Sequence, residues 1–218
     1  MIYATGDLHG DITRFKAKAL KKLKKNDTLF VCGDFGFLWN GAPEEERWIK
    51  WIGSRKFNTV FVEGCHDNLD LIERCPITEW NGGKVRVISG RLMHAVRGSV
   101  FQIEGRNIFT MGGAESADVD MGQSWWQRSM PTLEETQQAD KLLERYRYVV
   151  DYIITHDCPP SLLSCVGGDH SNYNYLLAFF DNLQKNARYK GWFFGRYHLD
   201  KTIPPFYRAL YADVVPLQ

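Results

Sequence analysis

Short unbroken apolar runs alternate with amphipathic stretches in the first third of the chain. The runs are Ile2-Tyr3-Ala4-Thr5, Thr28-Leu29-Phe30-Val31-Cys32 and Asn58 to Glu63. Apolar runs without polar interruption fit strands buried on both faces. Between the first two, Asp11 to about Lys25 reads as a helix. Phe15, Ala19, Leu20 and Leu23 form its apolar side, and lysines 16, 18, 21, 22, 24 and 25 form its exposed face. Glu44 to about Ser54 is a second helix whose acidic start complements the helix dipole. A third begins near Asn68.

From Lys84 to Met111 the pattern changes to short alternating runs: Val85-Arg86-Val87, Arg91-Leu92-Met93, Val100-Phe101-Gln102-Ile103 and Asn107-Ile108-Phe109-Thr110. Glu104-Gly105-Arg106 joins the last two as a hairpin, so this part reads as antiparallel. Gly112 to Met130 is a polar loop carrying Trp125 and Trp126, both read as loop or core anchors. Thr132 and Glu135 have capping-box spacing ahead of a helix to about Tyr148. A strand at Tyr152–Thr155, a helix from about Tyr173 to Lys185, a strand at Trp192-Phe193-Phe194 and strand-like sequence from Phe206 to Val215 complete the chain. No linker or repeat interrupts it, which predicts one α/β domain over residues 1–218. Two mixed sheets packed face to face, with helices outside, accommodate this order.

The 218 residues suffice for a sizeable core, and the apolar fraction of 44% is ordinary for a globular chain. A formal net charge of +1 gives no reason to expect nucleic acid, while leaving room for a small phosphorylated ligand. Five cysteines with no CxxC pair read as reduced thiols, and Cys32, Cys75, Cys158 and Cys165 as buried or half-buried groups. The first strand begins at Ile2, and no stretch reaches the roughly 20 apolar residues of a membrane span. The expected location is cytoplasmic.

The chemistry lies in five islands at the ends of strand-like runs. These are Gly6-Asp7-Leu8-His9-Gly10, Gly33-Asp34, Gly64-Cys65-His66-Asp67, Thr155-His156-Asp157 and Gly195-Arg196-Tyr197-His198. Carboxylate oxygen and imidazole nitrogen bind divalent cations directly. Residues two apart in extended chain face one side, so Asp7 and His9 reach one ion. A lone histidine at a strand end is ordinarily a satisfied core residue. Asp, Asp, His and His at four separate strand ends is a much rarer accident. His94 and Arg97 either line a phosphate pocket or lie at a strand turn. Glu115, Ser116, Asp118 and Asp120 form a solvated loop or shape substrate choice, and Asp169-His170 reads as a turn.

In order, the islands resemble the calcineurin-like metallophosphoesterases, whose pattern is DxH, GD, GNH[DE], a lone His and GHxH. Trp80-Asn81-Gly82-Gly83-Lys84, Met111-Gly112-Gly113-Ala114 and Leu210-Tyr211-Ala212-Asp213 are similar to a bacterial small-phosphatase branch. The resemblance implies a four-layer α-β-β-α sandwich, one or two divalent ions (Mn, Zn, Fe, Ni or Mg) and hydrolysis of a phosphate mono- or diester. The substrate is a small phosphorylated molecule or a phosphopeptide. One ion is then held by Asp7, His9, Asp34 and His198. The second shares Asp34 and uses positions 65, 156 and 196. His66 protonates the leaving oxygen, with Asp67 to orient it.

Two positions depart from that pattern: Cys65 stands where the family has Asn, and Arg196 where it has His. Arg196 has no acceptor and cannot bind a cation. Cys65 binds as a thiolate and favours zinc. Three readings follow. The chain is a one-metal phosphoesterase in which Arg196 supplies fixed positive charge, or a non-catalytic module binding a phospho-ligand or protein, or an enzyme with a weakened two-metal site.

Overall fold

In the computed structural model, residues 1–116, 127–168 and 173–218 are described. Two mixed sheets stack face to face. The first has the order β13-β1-β2-β3-β6-β5-β4 and the second β11-β12-β10-β9-β8-β7. In the first sheet β1 (Ile2–Thr5), β2 (Thr28–Cys32), β3 (Asn58–Val62) and β6 (Leu92–Ala95) run parallel. The strands β4 (Ile77–Trp80), β5 (Gly83–Ser89) and β13 (Val214–Pro216) add antiparallel edges. In the second sheet β8 (Arg106–Met111), β9 (Tyr152–Thr155), β10 (Gly191–Phe194) and β12 (Tyr207–Ala209) are parallel. Its antiparallel edges are β7 (Ser99–Ile103) and β11 (Lys201–Ile203).

Alternation along the strands builds the layers. On β2, Phe30 and Cys32 face the space between the sheets, packed with Ile108, Tyr152 and Ile154 of the other sheet. Leu29 and Val31 face outward. That outer side is covered by α1 (Ile12–Phe15), α2 (Lys18–Lys21), α3 (Pro43–Gly53) and α4 (Leu69–Ile72) through Phe15, Leu20, Ile52 and Ile72. Phe109, Ile153, Trp192 and Phe194 face outward from the second sheet. They meet α5 (Leu133–Arg145), α6 (Leu163–Val166) and α7 (Tyr175–Asn186) through Leu143, Leu163 and Phe180. Helix, sheet, sheet and helix form the expected four layers.

Some local expectations change. The lysine-rich segment is two single helical turns rather than one helix, because Ala17 is extended (φ −58°, ψ 150°) between them. Like charges spaced three and four apart weaken a continuous helix there, while Phe15 and Leu20 still reach the core. The lysines are exposed as expected. β4 and β11 lack the apolar signal of the other strands because they lie at sheet edges, and Ile77 on β4 is exposed. The hairpin between β7 and β8 turns at Glu104 and Gly105, both with positive φ (52° and 72°). Cys165 is exposed rather than half-buried, and no cysteine is in a disulfide. No described helix is long and apolar enough to cross a membrane. Asp118, Asp120, Trp125, Trp126, Asp169 and His170 lie outside the described residues.

Candidate metal centre

The carboxyl ends of five parallel strands deliver the site. Asp7 and His9 follow β1, Asp34 follows β2, Cys65 and His66 follow β3, His156 follows β9, and Arg196 and His198 follow β10. The two sheets meet here. The His156 Nδ1–H donates to the Cys32 carbonyl across the interior (3.0 Å), which turns Nε2 toward Asp34 and Cys65. A second-sphere bond of this kind fixes how an imidazole presents its other nitrogen. The tight turns hold non-glycine residues in left-handed conformation: His9 (φ 47°), Asp34 (φ 38°), Arg196 (φ 67°) and His198 (φ 50°). Such strain persists where surrounding structure imposes it, and it concentrates at functional sites.

Neighbouring glycines leave room for the ligands. A Cβ on Gly195 would lie 2.2 Å from Asp7 Oδ1, and one on Gly64 would lie 2.0 Å from Asp34 Oδ1. Arg14 braces the first loop by donating to the backbone carbonyls of Asp7 and Tyr211. This role was invisible in the sequence, since its acceptors are backbone atoms brought from opposite ends of the chain.

Three donor groups result. Asp7, His9 and His198 converge, with the two Nε2 atoms 2.8 Å apart and Asp7 Oδ2 3.4 Å from His198 Nε2. Ligands bound to one cation at about 2.0–2.1 Å lie roughly 3 to 3.5 Å from each other. Asp34, Cys65 and His156 form a second group, and His9, Asp34 and His66 connect the two. His9 thus links the first group to the connecting one and Asp34 links that one to the second, with Asp34 3.9 Å from His9 and 3.7 Å from His156.

Asp7 shows whether a cation suits these residues. Its side chain is fully buried, and among the described residues neither oxygen has a hydrogen bond; the nearest groups are two imidazoles, His156 Nδ1 and His198 Nε2, each 3.4 Å away. An enclosed carboxylate left this way costs several kcal/mol unless an ion or a proton compensates it. Hard oxygen and borderline nitrogen donors around it fit a divalent cation.

Electrostatics follow the same geometry. Burial opposes charge on Asp34, but the His156 charge and the His66 hydrogen bond hold its carboxyl well below the usual range. The Asp34 hydrogen bond (2.9 Å) raises the His66 imidazole to about 11, aided by Cys65. Burial pushes the Cys65 thiol up, yet contacts with His156 and His66 leave it below its ordinary value. Arg196 is anchored beside the donors, not among them. Its Nε lies 3.5 Å from Asp157, and Nη2 donates to the Glu115 carbonyl (2.9 Å). Nη1 has no partner among the described residues, while the charges of Cys65 and Asp34 still reach the guanidinium.

Three of the candidate residues have partners that the sequence did not indicate. Asp67 accepts backbone N–H bonds from Phe35 (3.1 Å), Gly36 (2.9 Å) and Gly64 (2.9 Å). It ties the second and third loops together. Burial, and then the Asp34 charge, raise it to about 6. His94 and Arg97 do not present themselves to a pocket beside the metal ligands. Both are buried on Glu63: His94 Nε2 pairs at 2.7 Å, and Arg97 pairs through Nε while also bonding Glu135 and the carbonyls of Arg128 and Ser129. The fully buried Glu63 carboxylate needs counter-charges, and this need places them. A Cβ on Gly112 would lie 2.2 Å from its Oε2, which explains the glycine there.

A model of the calcineurin-like phosphoesterase family matches residues 1–212, and the chain belongs to that family. The family hydrolyses phosphate esters with divalent metal ions. No curated protein matches the chain. Among solved structures, the phosphopantetheinyl hydrolase of Mycobacterium tuberculosis is similar at 12% identity and TM-score 0.44, over 96% of this chain and 87% of that one. A protein of unknown function from Aquifex aeolicus is similar at 16% identity and TM-score 0.37, over 73% and 79% respectively.

Proposed function

We propose that this chain is a metal-dependent phosphoesterase with one principal ion site, formed by Asp7, His9 and His198 with Asp34 alongside. The observation that carries the reading is the buried Asp7 carboxylate, without a hydrogen bond among the described residues, converging with the imidazoles of His9 and His198. A divalent cation bound there supplies Lewis acidity, polarising a phosphoryl oxygen and acidifying water. Arg196 provides fixed positive charge beside the second donor group. Its anchorage on Asp157 and the Glu115 carbonyl fixes that charge in place, where it favours a phosphoryl anion electrostatically. His66 pairs through Nδ1 with Asp34 and is partly exposed, so its imidazole is placed to pass a proton to the leaving oxygen. His156, turned by the Cys32 carbonyl, and Cys65 offer nitrogen and sulfur to a softer, weaker second ion. The free thiols accord with a reducing, cytoplasmic setting.

The test loads the purified protein separately with Mn, Zn, Fe, Ni and Mg. Metal content and hydrolysis of p-nitrophenyl phosphate and bis-p-nitrophenyl phosphate are then measured. We expect about one tightly held ion per chain and turnover that Asp7→Asn lowers by at least roughly a hundredfold. The double variant Cys65→Asn with Arg196→His should bind a second ion and turn over faster. Stoichiometric metal with no turnover under any of the five ions would reverse the reading in favour of a binding module.

A further inference from the structure

His9 and His66 also form one end of a cleft of about 690 Å³ that the chemistry above does not use. Its walls are Ile12, Phe37, Trp39 and Trp48. A volume of this size falls within the range of small-molecule sites. The walls are held in place before any ligand arrives. Phe37 is buried against Phe15 and Phe35, with ring centroids 5.9 and 5.0 Å away. Trp48 stands edge-on to Trp51 at 6.3 Å, and the Lys16 ammonium lies 4.8 Å from its ring centre. The Glu45 carboxylate accepts the backbone N–H groups of Trp39 (3.0 Å) and Gly41 (2.9 Å), which fixes the loop carrying Trp39. Both tryptophans remain partly open to solvent.

The charged residues lining the cleft are acidic, and the Lys16 ammonium against Trp48 is not among them. Asp11, Glu44 and Glu45 line it, and no lysine or arginine does among the described residues. A phosphoryl group held at the histidine end would project its organic part along aromatic walls toward carboxylates.

We propose that this cleft selects the ester, taking a phosphorylated compound whose organic part is a flat aromatic group without a second anionic group. The inference rests on the proposed phosphoesterase reading and extends it to substrate class. Stacking on rigid aromatic walls favours planar groups, and the carboxylates disfavour further negative charge.

Non-hydrolysable phosphonates test it by calorimetry on the manganese-loaded protein. Phenylphosphonate should bind about tenfold more tightly than methylphosphonate. Trp48→Ala should remove most of that preference while leaving methylphosphonate affinity within about twofold. Glu44 is exposed, so Glu44→Lys leaves the core untouched. That variant should bind 4-carboxyphenylphosphonate at least about threefold more tightly than wild type does. Equal affinity of wild type for phenyl- and methylphosphonate overturns the proposal, as does a phenyl preference that survives Trp48→Ala in a folded variant. An unchanged affinity in Glu44→Lys removes the charge component. If neither phosphonate binds, the phosphoesterase reading fails and takes this inference with it.

Discussion

Glu63 is fully enclosed, yet its carboxyl sits at about 2 rather than near 4.5. Burial alone would raise it, but the Arg97 charge and the His94 hydrogen bond overcome that. Because the folded value is depressed, this group adds stability above its ordinary value, and the contribution is lost as pH falls from about 4.5 toward 2. A shift of this size corresponds to roughly 3 kcal/mol. Glu63→Gln also leaves Arg97 buried without its main counter-charge, so we expect a loss of about 3–5 kcal/mol at neutral pH. Urea unfolding at several pH values checks this: the gap between wild type and variant should narrow through the acid range. A constant gap would show that another group carries the acid sensitivity. The same cluster marks the boundary of sequence legibility. Asp7, His9, Asp34 and His198 could be picked out because each is a metal-binding type at the end of an apolar run. His94 and Arg97 are equally polar, but their partner sits immediately after β3. Only the pairing of β6 with β3, Phe61 opposite His94, brings Glu63 within reach. No local pattern encodes that neighbour.

At the scale of elements, the strand ends and the outer helices carry separate duties. The helix α5 starts with a complete capping box, the Thr132 hydroxyl accepting from the Glu135 backbone while the Glu135 side chain accepts from the Thr132 backbone. Thr132→Ala should cost about 1 kcal/mol of stability, read from the urea midpoint, with metal affinity unchanged. Gly195 follows β10, and a Cβ there would press on Asp7 Oδ1 at 2.2 Å and the Cys32 carbonyl at 2.4 Å. Gly195→Ala should therefore weaken metal binding, measured by calorimetry, by at least about tenfold. Equal metal affinity in Gly195→Ala and wild type would show that the loop yields freely. The capping box was readable because it is encoded within four residues. The split of the lysine-rich segment into α1 and α2 was not, because it reflects which apolar side chains the first sheet receives. Edge strands β4 and β11 were missed for a related reason: edges need little apolar burial, so their alternation is faint.

Across the whole molecule, the centre joins the two sheets at the carboxyl ends of their parallel strands. Asp7, His9 and Asp34 come from the first sheet, while His156 and His198 come from the second. An ion held by residues of both faces is bound by the folded chain and not by the unfolded one, so binding must stabilise the fold. At a free ion concentration near a hundred times Kd, linkage gives about 2.7 kcal/mol. For a chain of 218 residues this raises Tm by roughly 5–10 °C. The shift belongs to the donor set, so removing ligands from either sheet should erase it. Asp7→Asn deletes a ligand from the first sheet and His198→Ala one from the second, and each variant should melt at the same temperature with and without manganese. Glu44→Lys, distant from those donors in role and exposed, should keep the full shift. Calorimetric melts with and without chelator decide the matter. If His198→Ala retains the manganese shift while Asp7→Asn loses it, the ion is held by the first sheet alone, and the two-sheet centre is wrong.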